Sequence, residues 1–224
     1  MGGPYKLDLS FLTAINEANV LNSAVGHICY GLGAANAADS GSSGQAVYNH
    51  CKWMPNISAV DCSNLQTVAG TCAMTGMFSQ YQKTALPAAQ RPDGWNGSYT
   101  ADFSKLRSVN GSNAMWEFGW RSNPIGGWTF PSLSGLSGTA CCFYAFAGCG
   151  TKPHGLSALK QINGAYAMSY AFNWSSTTTD GDIPSNEGIH FDSLSSIVGS
   201  YAFNYAFTET NFRNVYFPKL SSIT

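Results

Sequence analysis

Fourteen residues of this chain recur without a gap. Residues 159–172, LKQINGAYAMSYAF, return as residues 194–207, LSSIVGSYAFNYAF. The alignment lays Leu159 over Leu194, Ile162 over Ile197, Gly164 over Gly199, Ala167 over Ala202 and Phe172 over Phe207. A repeat held in phase constrains the fold more than any local propensity does. Each copy must present the same apolar residues to the same layer, and only stacking on its neighbours buries them.

With the first leucine of each copy as an anchor, the template extends over most of the chain. Anchors fall at Leu12, Leu65, Leu106, Leu133, Leu159, Leu194 and Leu220, at spacings of 53, 41, 27, 26, 35 and 26 residues. The shortest spacing is the unit, and the longer ones carry insertions. A unit of this size that opens on a strand lies in the leucine-rich-repeat range.

Each unit opens on an alternating triplet: Leu7-Asp8-Leu9, Val60-Asp61-Cys62, Ala101-Asp102-Phe103, Trp128-Thr129-Phe130, His154-Gly155-Leu156, Ile189-His190-Phe191 and Val215-Tyr216-Phe217. Apolar residues on either side of an outward one predict a short strand with one buried face. Ser, Pro or Asp follows; Pro131 and Pro218, without an amide donor, mark the strand's end. Three residues after the anchor stands Ile15, Val68, Val109, Leu136, Ile162, Ile197 or Ile223. Glycine then holds one phase at Gly70, Gly111, Gly138, Gly164 and Gly199, marking either a turn at positive φ or a close backbone approach.

Beyond the glycine, Ala167, Met168, Ala171 and Phe172 are spaced i, i+1, i+4, i+5. Ala202, Phe203, Ala206 and Phe207 repeat this, as do Ala73, Met74, Met77 and Phe78, and Cys141, Cys142, Ala145 and Phe146. The spacing predicts a two-turn helix with one apolar stripe. In the copy after Leu106, Gly119 stands where Phe is expected and Phe118 comes one place early, read as an adjustment of the helix end. The fold expected is therefore α/β: a leucine-rich-repeat solenoid with a parallel β-sheet on one face and short helices on the other. The chain starts in the strand-like LDLSFL and stops on KLSSIT, so residues 1–224 are read as one solenoid domain and a fragment of something longer.

The phrase L-x-x-I-x-G-x-x-A-M/F-x-x-A-F resembles the BspA-type bacterial-surface leucine-rich repeats, whose units join in a strand-and-proline phrase like NFRNVYFPKLSSI at 211–223. The likeness covers most of 60–224 and, more weakly, 7–15. It implies a right-handed, slightly curved solenoid, cell-surface or extracellular display, adhesion as a binding protein, and no catalysis. Long Gly-, Ser- and Asn-rich insertions and abundant Tyr and Asn depart from that family's pattern.

Composition narrows the function. Only 10% of residues are charged, and 11 basic residues against 12 acidic ones make no stripe for phosphate neutralisation, which argues against nucleic acid. No run of 18 apolar residues predicts a spanning helix. The histidines show no zinc-ligand spacing, and no Walker, nucleophile-elbow or dinucleotide motif appears, so neither enzyme activity nor a cofactor or metal is expected. Of the seven cysteines, Cys62, Cys72, Cys141 and Cys142 occupy apolar phases and read as small buried hydrophobes. Cys29, Cys51 and Cys149 fall in connecting segments and are the better disulfide candidates.

Two groups are candidate ligand-binding residues. The middle residues of the triplets, Asp8, Asp61, Asp102, Thr129, Gly155, His190 and Tyr216, should line the exposed sheet face as a strip, acidic at its N-terminal end and suited to a cation-assisted contact or to ordinary solvation. Trp95, Tyr99, Trp120 and Trp174 lie in or beside insertions, where aromatics among Asn, Ser and Gly suit recognition of protein or sugar, or else lid the ends of the apolar layer. The expected function is a cell-surface or extracellular module that binds a protein or glycan partner. Its rival is a structural segment of an extracellular or virion appendage, in end-to-end contact with further repeats or another chain.

Overall fold

The computed structural model describes residues 5–22, 57–79, 99–120, 122, 127–149, 153–173, 188–210 and 214–224. Each copy of the repeat forms one rung, and each rung carries two short strands. The first strands are β1 (Tyr5–Asp8), β3 (Ile57–Asp61), β5 (Thr100–Asp102), β7 (Trp128–Thr129), β9 (Pro153–His154), β11 (Ile189–His190) and β13 (Val215–Tyr216). The second strands are β2 (Ala14–Ile15), β4 (Thr67–Val68), β6 (Ser108–Val109), β8 (Gly135–Ser137), β10 (Gln161–Asn163), β12 (Ser196–Val198) and β14 (Ser222–Ile223).

The second strands make one seven-stranded parallel sheet in the order β14-β12-β10-β8-β6-β4-β2. Its register carries the repeat: Val109 pairs with Leu136, Leu136 with Ile162, and Ile162 with Ile197. The first strands were expected to form such a sheet, with Val60, Phe103, Phe130, Leu156 and Phe191 on neighbouring rungs. They instead divide into β1-β3-β5, β7-β9 and β11-β13. The cause lies in how each strand is entered. A first strand follows an insertion of variable length, whereas a second strand follows a corner of constant length. That corner is a turn closed by the anchor's amide, as in Leu133 to Phe130 (3.1 Å) and Leu194 to Phe191 (3.1 Å). Pro131 sits at the second position of its turn, where a fixed φ is favoured.

The expected helices are absent, and with them the leucine-rich-repeat architecture and the BspA-type resemblance. Among the described residues the only helical element is a 3-10 turn at Leu156–Ala158. After each glycine the backbone instead runs as overlapping turns whose amides alternate in direction. Ala167 donates to Gly164 (3.3 Å), Ser169 to Tyr166 (3.1 Å) and Ala171 to Met168 (3.2 Å), all within the rung. Tyr166 donates to Ser200 (3.0 Å), Met168 to Ala202 (2.8 Å) and Tyr170 to Asn204 (2.9 Å), all on the next rung. The same alternation joins the other rungs, as in Met74 to Ala114 (2.7 Å) and Met115 to Cys141 (2.7 Å).

Spacing explains the preference. Strands in a sheet lie about 4.8 Å apart, while a helix with its side chains is about 10 Å wide. One helix per rung would splay the stack, and a two-turn helix has little stability of its own. The turn ladder keeps the sheet's spacing and satisfies half its amides across rungs. Its conformation repeats every four residues, with left-handed φ at Tyr166 (56°) and Tyr170 (55°), so two residues in each four point inward. That period produces the i, i+1, i+4, i+5 apolar pattern without a helix.

One apolar cluster runs from Leu9 to Ala202, fed by both strand series, the anchors and the turn ladder. Ala167, Met168, Ala171 and Phe172 are fully buried in it, as are Leu159 and Ile162. The conserved-phase glycines lie where rungs meet most closely: a Cβ on Gly164 would collide with the backbone of Gly138. Gly119 has a different cause. A Cβ there would come within 2.7 Å of the Trp128 indole, which occupies the space that Phe fills in other rungs. Trp128 is itself core, packed against Phe118 (4.8 Å between ring centroids) and Phe78 (5.0 Å).

Candidate functional site

The strip of triplet middles is broken into parts. Asp8, Asp61 and Asp102 are register neighbours across β1, β3 and β5. Each carboxylate accepts the amide of the serine two residues on: Ser10 to Asp8 (2.9 Å), Ser63 to Asp61 (3.1 Å) and Ser104 to Asp102 (2.8 Å). The sequence phrase Asp-x-Ser thus closes an Asx turn at the strand's end, a structural task for the acidic end of the strip. The Lys6 ammonium lies 2.8 Å from Asp61. That contact, with the Ser63 bonds behind it, holds the Asp61 carboxyl at about 2. Asp8 is lowered too, first by the Ser10 hydroxyl and then by the Ser10 amide.

Further along, the phase shifts. Thr129 pairs with His154, not Gly155, which turns at φ 82° ahead of the 3-10 segment. His190 and Tyr216 form a separate pair on β11 and β13, their rings stacked at 4.4 Å, with the His190 Nδ1 3.4 Å from Asp192. Among the described residues no group of three His, Cys, Asp or Glu side chains is placed to hold a metal ion.

The aromatics of the insertions divide as sharply. Trp95 and Trp174 lie outside the described residues. Tyr99 is buried at 3% exposure, stacked face to face on Phe78 (5.5 Å, 2°), with its hydroxyl bonded to the Ser122 hydroxyl. It is a core residue, and burial pushes its phenol well up. Trp120 is half-buried at the end of its turn ladder.

The exposed aromatic surface lies elsewhere. Tyr166 and Tyr201 stack at 5.2 Å in one column, and Tyr144, Tyr170 and Tyr205 stack at 4.7 and 5.1 Å in a second. Phe143 packs beside the second column, 4.9 Å from Tyr144 and 5.5 Å from Tyr170, with Trp116 beyond it at 5.7 Å. Tyr201 is 62% exposed and Tyr205 56%. All five tyrosines hold left-handed φ between 52° and 60°. That backbone turns their side chains outward while the next two residues point to the core. Burial, followed by the fields of Tyr170 and Glu117, raises the Tyr144 phenol, which keeps its hydroxyl protonated. The sequence did carry a sign of this surface: tyrosine recurs seven and eleven positions after the anchor. A helical reading of the segment gives that phase no meaning.

No disulfide joins the described cysteines. Cys62, Cys141 and Cys142 are buried as expected of small hydrophobes, and burial pushes the Cys62 thiol up to about 12. Cys72, expected to be buried with them, is only half-buried, because it holds the outward left-handed phase of the ladder (φ 52°). Cys149, a disulfide candidate by sequence, is a buried thiol that donates to the Gly119 carbonyl (3.0 Å). Cys29 and Cys51 lie outside the described residues.

Comparison with protein-family models, with curated proteins and with solved structures gives no match, so the surface is read from its own chemistry. Among the described residues no helix is long and apolar enough to cross a membrane.

Proposed function

We propose that the chain is a recognition module, displayed outside the cell or on its surface, that holds a protein or glycan partner on its tyrosine-lined turn ladder. The observation that carries the reading is the backbone under those tyrosines. Left-handed φ costs a residue with a side chain roughly 1–2 kcal/mol, and a stacked aromatic pair returns about 0.5–1.5 kcal/mol. Folding alone gives little reason to choose tyrosine there. Other rungs fill the same two phases with Asn113 and Gly76, which suit this conformation, and with Cys72, Ala140 and Glu117, so the ladder imposes the backbone without calling for tyrosine. Five tyrosines at such positions, with Tyr201 and Tyr205 more than half exposed, fit selection for contact. The low charge of the chain agrees with an uncharged contact surface, and the reading includes no catalysed reaction.

Arrays of glycans and of extracellular proteins, probed with the native chain and with Tyr201→Asn/Tyr205→Asn, test it. Binding by the native chain that the double variant loses while keeping its unfolding midpoint supports the reading. Binding that the variant retains sinks it.

A structural segment that stacks end to end is the second reading. It is favoured by the regularity of the stack, in which Phe146, Phe172 and Phe207 lie ring on ring at 5.8 and 5.4 Å, a pattern that further copies of the unit can continue. Light scattering across a concentration series separates the two, since end-to-end stacking requires mass that grows with concentration and falls in Ile223→Lys.

A further inference from the structure

We propose that the partner is an uncharged polysaccharide whose chain runs along the stack axis, crossing the two tyrosine columns rung by rung. This rests on the recognition reading above and assigns its ligand class.

Ring geometry supplies the first argument. Within each column the rings lie nearly parallel, at 14° for Tyr166–Tyr201, 18° for Tyr144–Tyr170 and 23° for Tyr170–Tyr205. Neighbouring rings therefore cover one another's faces. The columns offer their partner ring edges and a row of phenolic hydroxyls at the rung spacing. Protein hot spots are large side chains in desolvated pockets, and a ridge of hydroxyl-tipped edges supplies none. A ligand that itself carries a hydroxyl on every repeat matches the ridge.

Charge is the second argument. Residues 139–149, 164–173 and 199–210, the three turn-ladder segments that carry the tyrosines, contain no Lys or Arg. On those described segments an acidic glycan would meet no cation. Between the columns, just before the second, stand Phe143, Ser169 and Asn204, all neutral, with Ser169 buried and its hydroxyl donating to the Asn204 carbonyl (2.8 Å).

Periodicity is the third. A contact repeated on every rung strengthens with the number of rungs a single ligand spans, because each added contact is intramolecular. A polymer gains from the ladder what a single sugar does not.

Affinity electrophoresis and calorimetry with a panel of neutral polymers (a mixed-linkage β-glucan, a galactomannan, xylan and soluble chitin oligomers) test this against hyaluronan and alginate. At least one neutral polymer should bind, with oligomer affinity rising by about tenfold or more from two sugars to six, and neither acidic polymer should match it. Tyr170→Phe/Tyr205→Phe keeps the stack and removes the hydroxyls, and should lose most of the binding. Tyr170→Asn/Tyr205→Asn should lose it while remaining folded. Equal binding of hyaluronan, full binding by the Phe variant, or no binding across the neutral panel overturns the proposal. Tyrosine-dependent capture of an extracellular protein, with no polysaccharide bound, overturns the ligand class and leaves the recognition reading standing. If no probe binds in a tyrosine-dependent way, both fall.

Discussion

The two long sides of the stack are built from the same rungs at the same spacing, yet they use the backbone in opposite ways. On the sheet side, β2 to β14 pair in unbroken register, and their outward positions carry small neutral residues such as Thr67, Ser108, Ser137, Asn163 and Ser196. On the turn-ladder side half the amides turn back within the rung, and every fourth residue takes a left-handed φ. The sheet side reaches low energy with ordinary extended residues. The ladder side accepts strain at regular intervals, and its aromatic groups are concentrated there. Regular stacking and a specialised surface are thus separable properties of one repeat.

The largest effect should come at the corner that joins the two sides. Gly164→Val drives a side chain into the backbone of Gly138, and its loss of stability should exceed about 4 kcal/mol. Chemical denaturation of the native and variant chains measures it. An unchanged midpoint would mean that the rungs do not meet where the structure puts them.

A matched pair comes next. Ile162→Ala removes a buried side chain from the sheet side and Met168→Ala one from the ladder side, both at 0% exposure. Each should cost about 2–5 kcal/mol. A Met168→Ala cost below about 1 kcal/mol, beside a full cost at Ile162, would show the ladder to be loosely packed and would break the equivalence of the two sides.

The exposed residues sharpen the contrast on a smaller scale. Tyr205→Asn relieves the left-handed strain and gives up one ring stack, so stability should change by no more than about 1 kcal/mol, and upward if strain dominates. A loss near 3 kcal/mol would make the tyrosines structural and remove the reason to read them as a contact surface.

The smallest effect concerns β1 and β3, away from both sides. Asp61 is held at about 2 against an ordinary 3.8, so its contribution is complete above about pH 4 and is lost as the pH falls toward 2. Lys6→Ala should flatten this acid limb by lowering the unfolding midpoint slightly above about pH 4 while leaving it unchanged near pH 2. A limb of unchanged steepness would assign it to other carboxylates.

Much of this was legible beforehand, and the reasons differ by residue. Ile15, Val68, Val109, Leu136, Ile162 and Ile197 form a buried column because a strand alternates and a stack repeats, and both periods are written in the chain. The Ala167/Met168 and Ala171/Phe172 pairs were correctly read as inward and wrongly read as helical. A four-residue turn period and a 3.6-residue helix bury the same residues over two turns, so apolar spacing does not separate them. Tyr99 ends an insertion, and its sequence setting suits either recognition or a lid over the apolar layer. Phe78 and Trp128, remote in sequence, draw it inside. The sequence marks the strands and insertions as candidate contact surface, whereas the exposed aromatics gather on the segment whose spacing imitates a helix.

The amino-acid order alone fixed the unit, its phase and the residues that face the core, because these depend only on which side chains recur. The backbone of the third side was decided by stacking. A stack held at strand spacing on every side leaves no width for helices, which would splay it, and each rung supplies the hydrogen-bond partners that let its neighbour form turns instead. The tyrosine columns exist only as a consequence of that stacking, since the residues of each column are brought together by rungs and not by the chain.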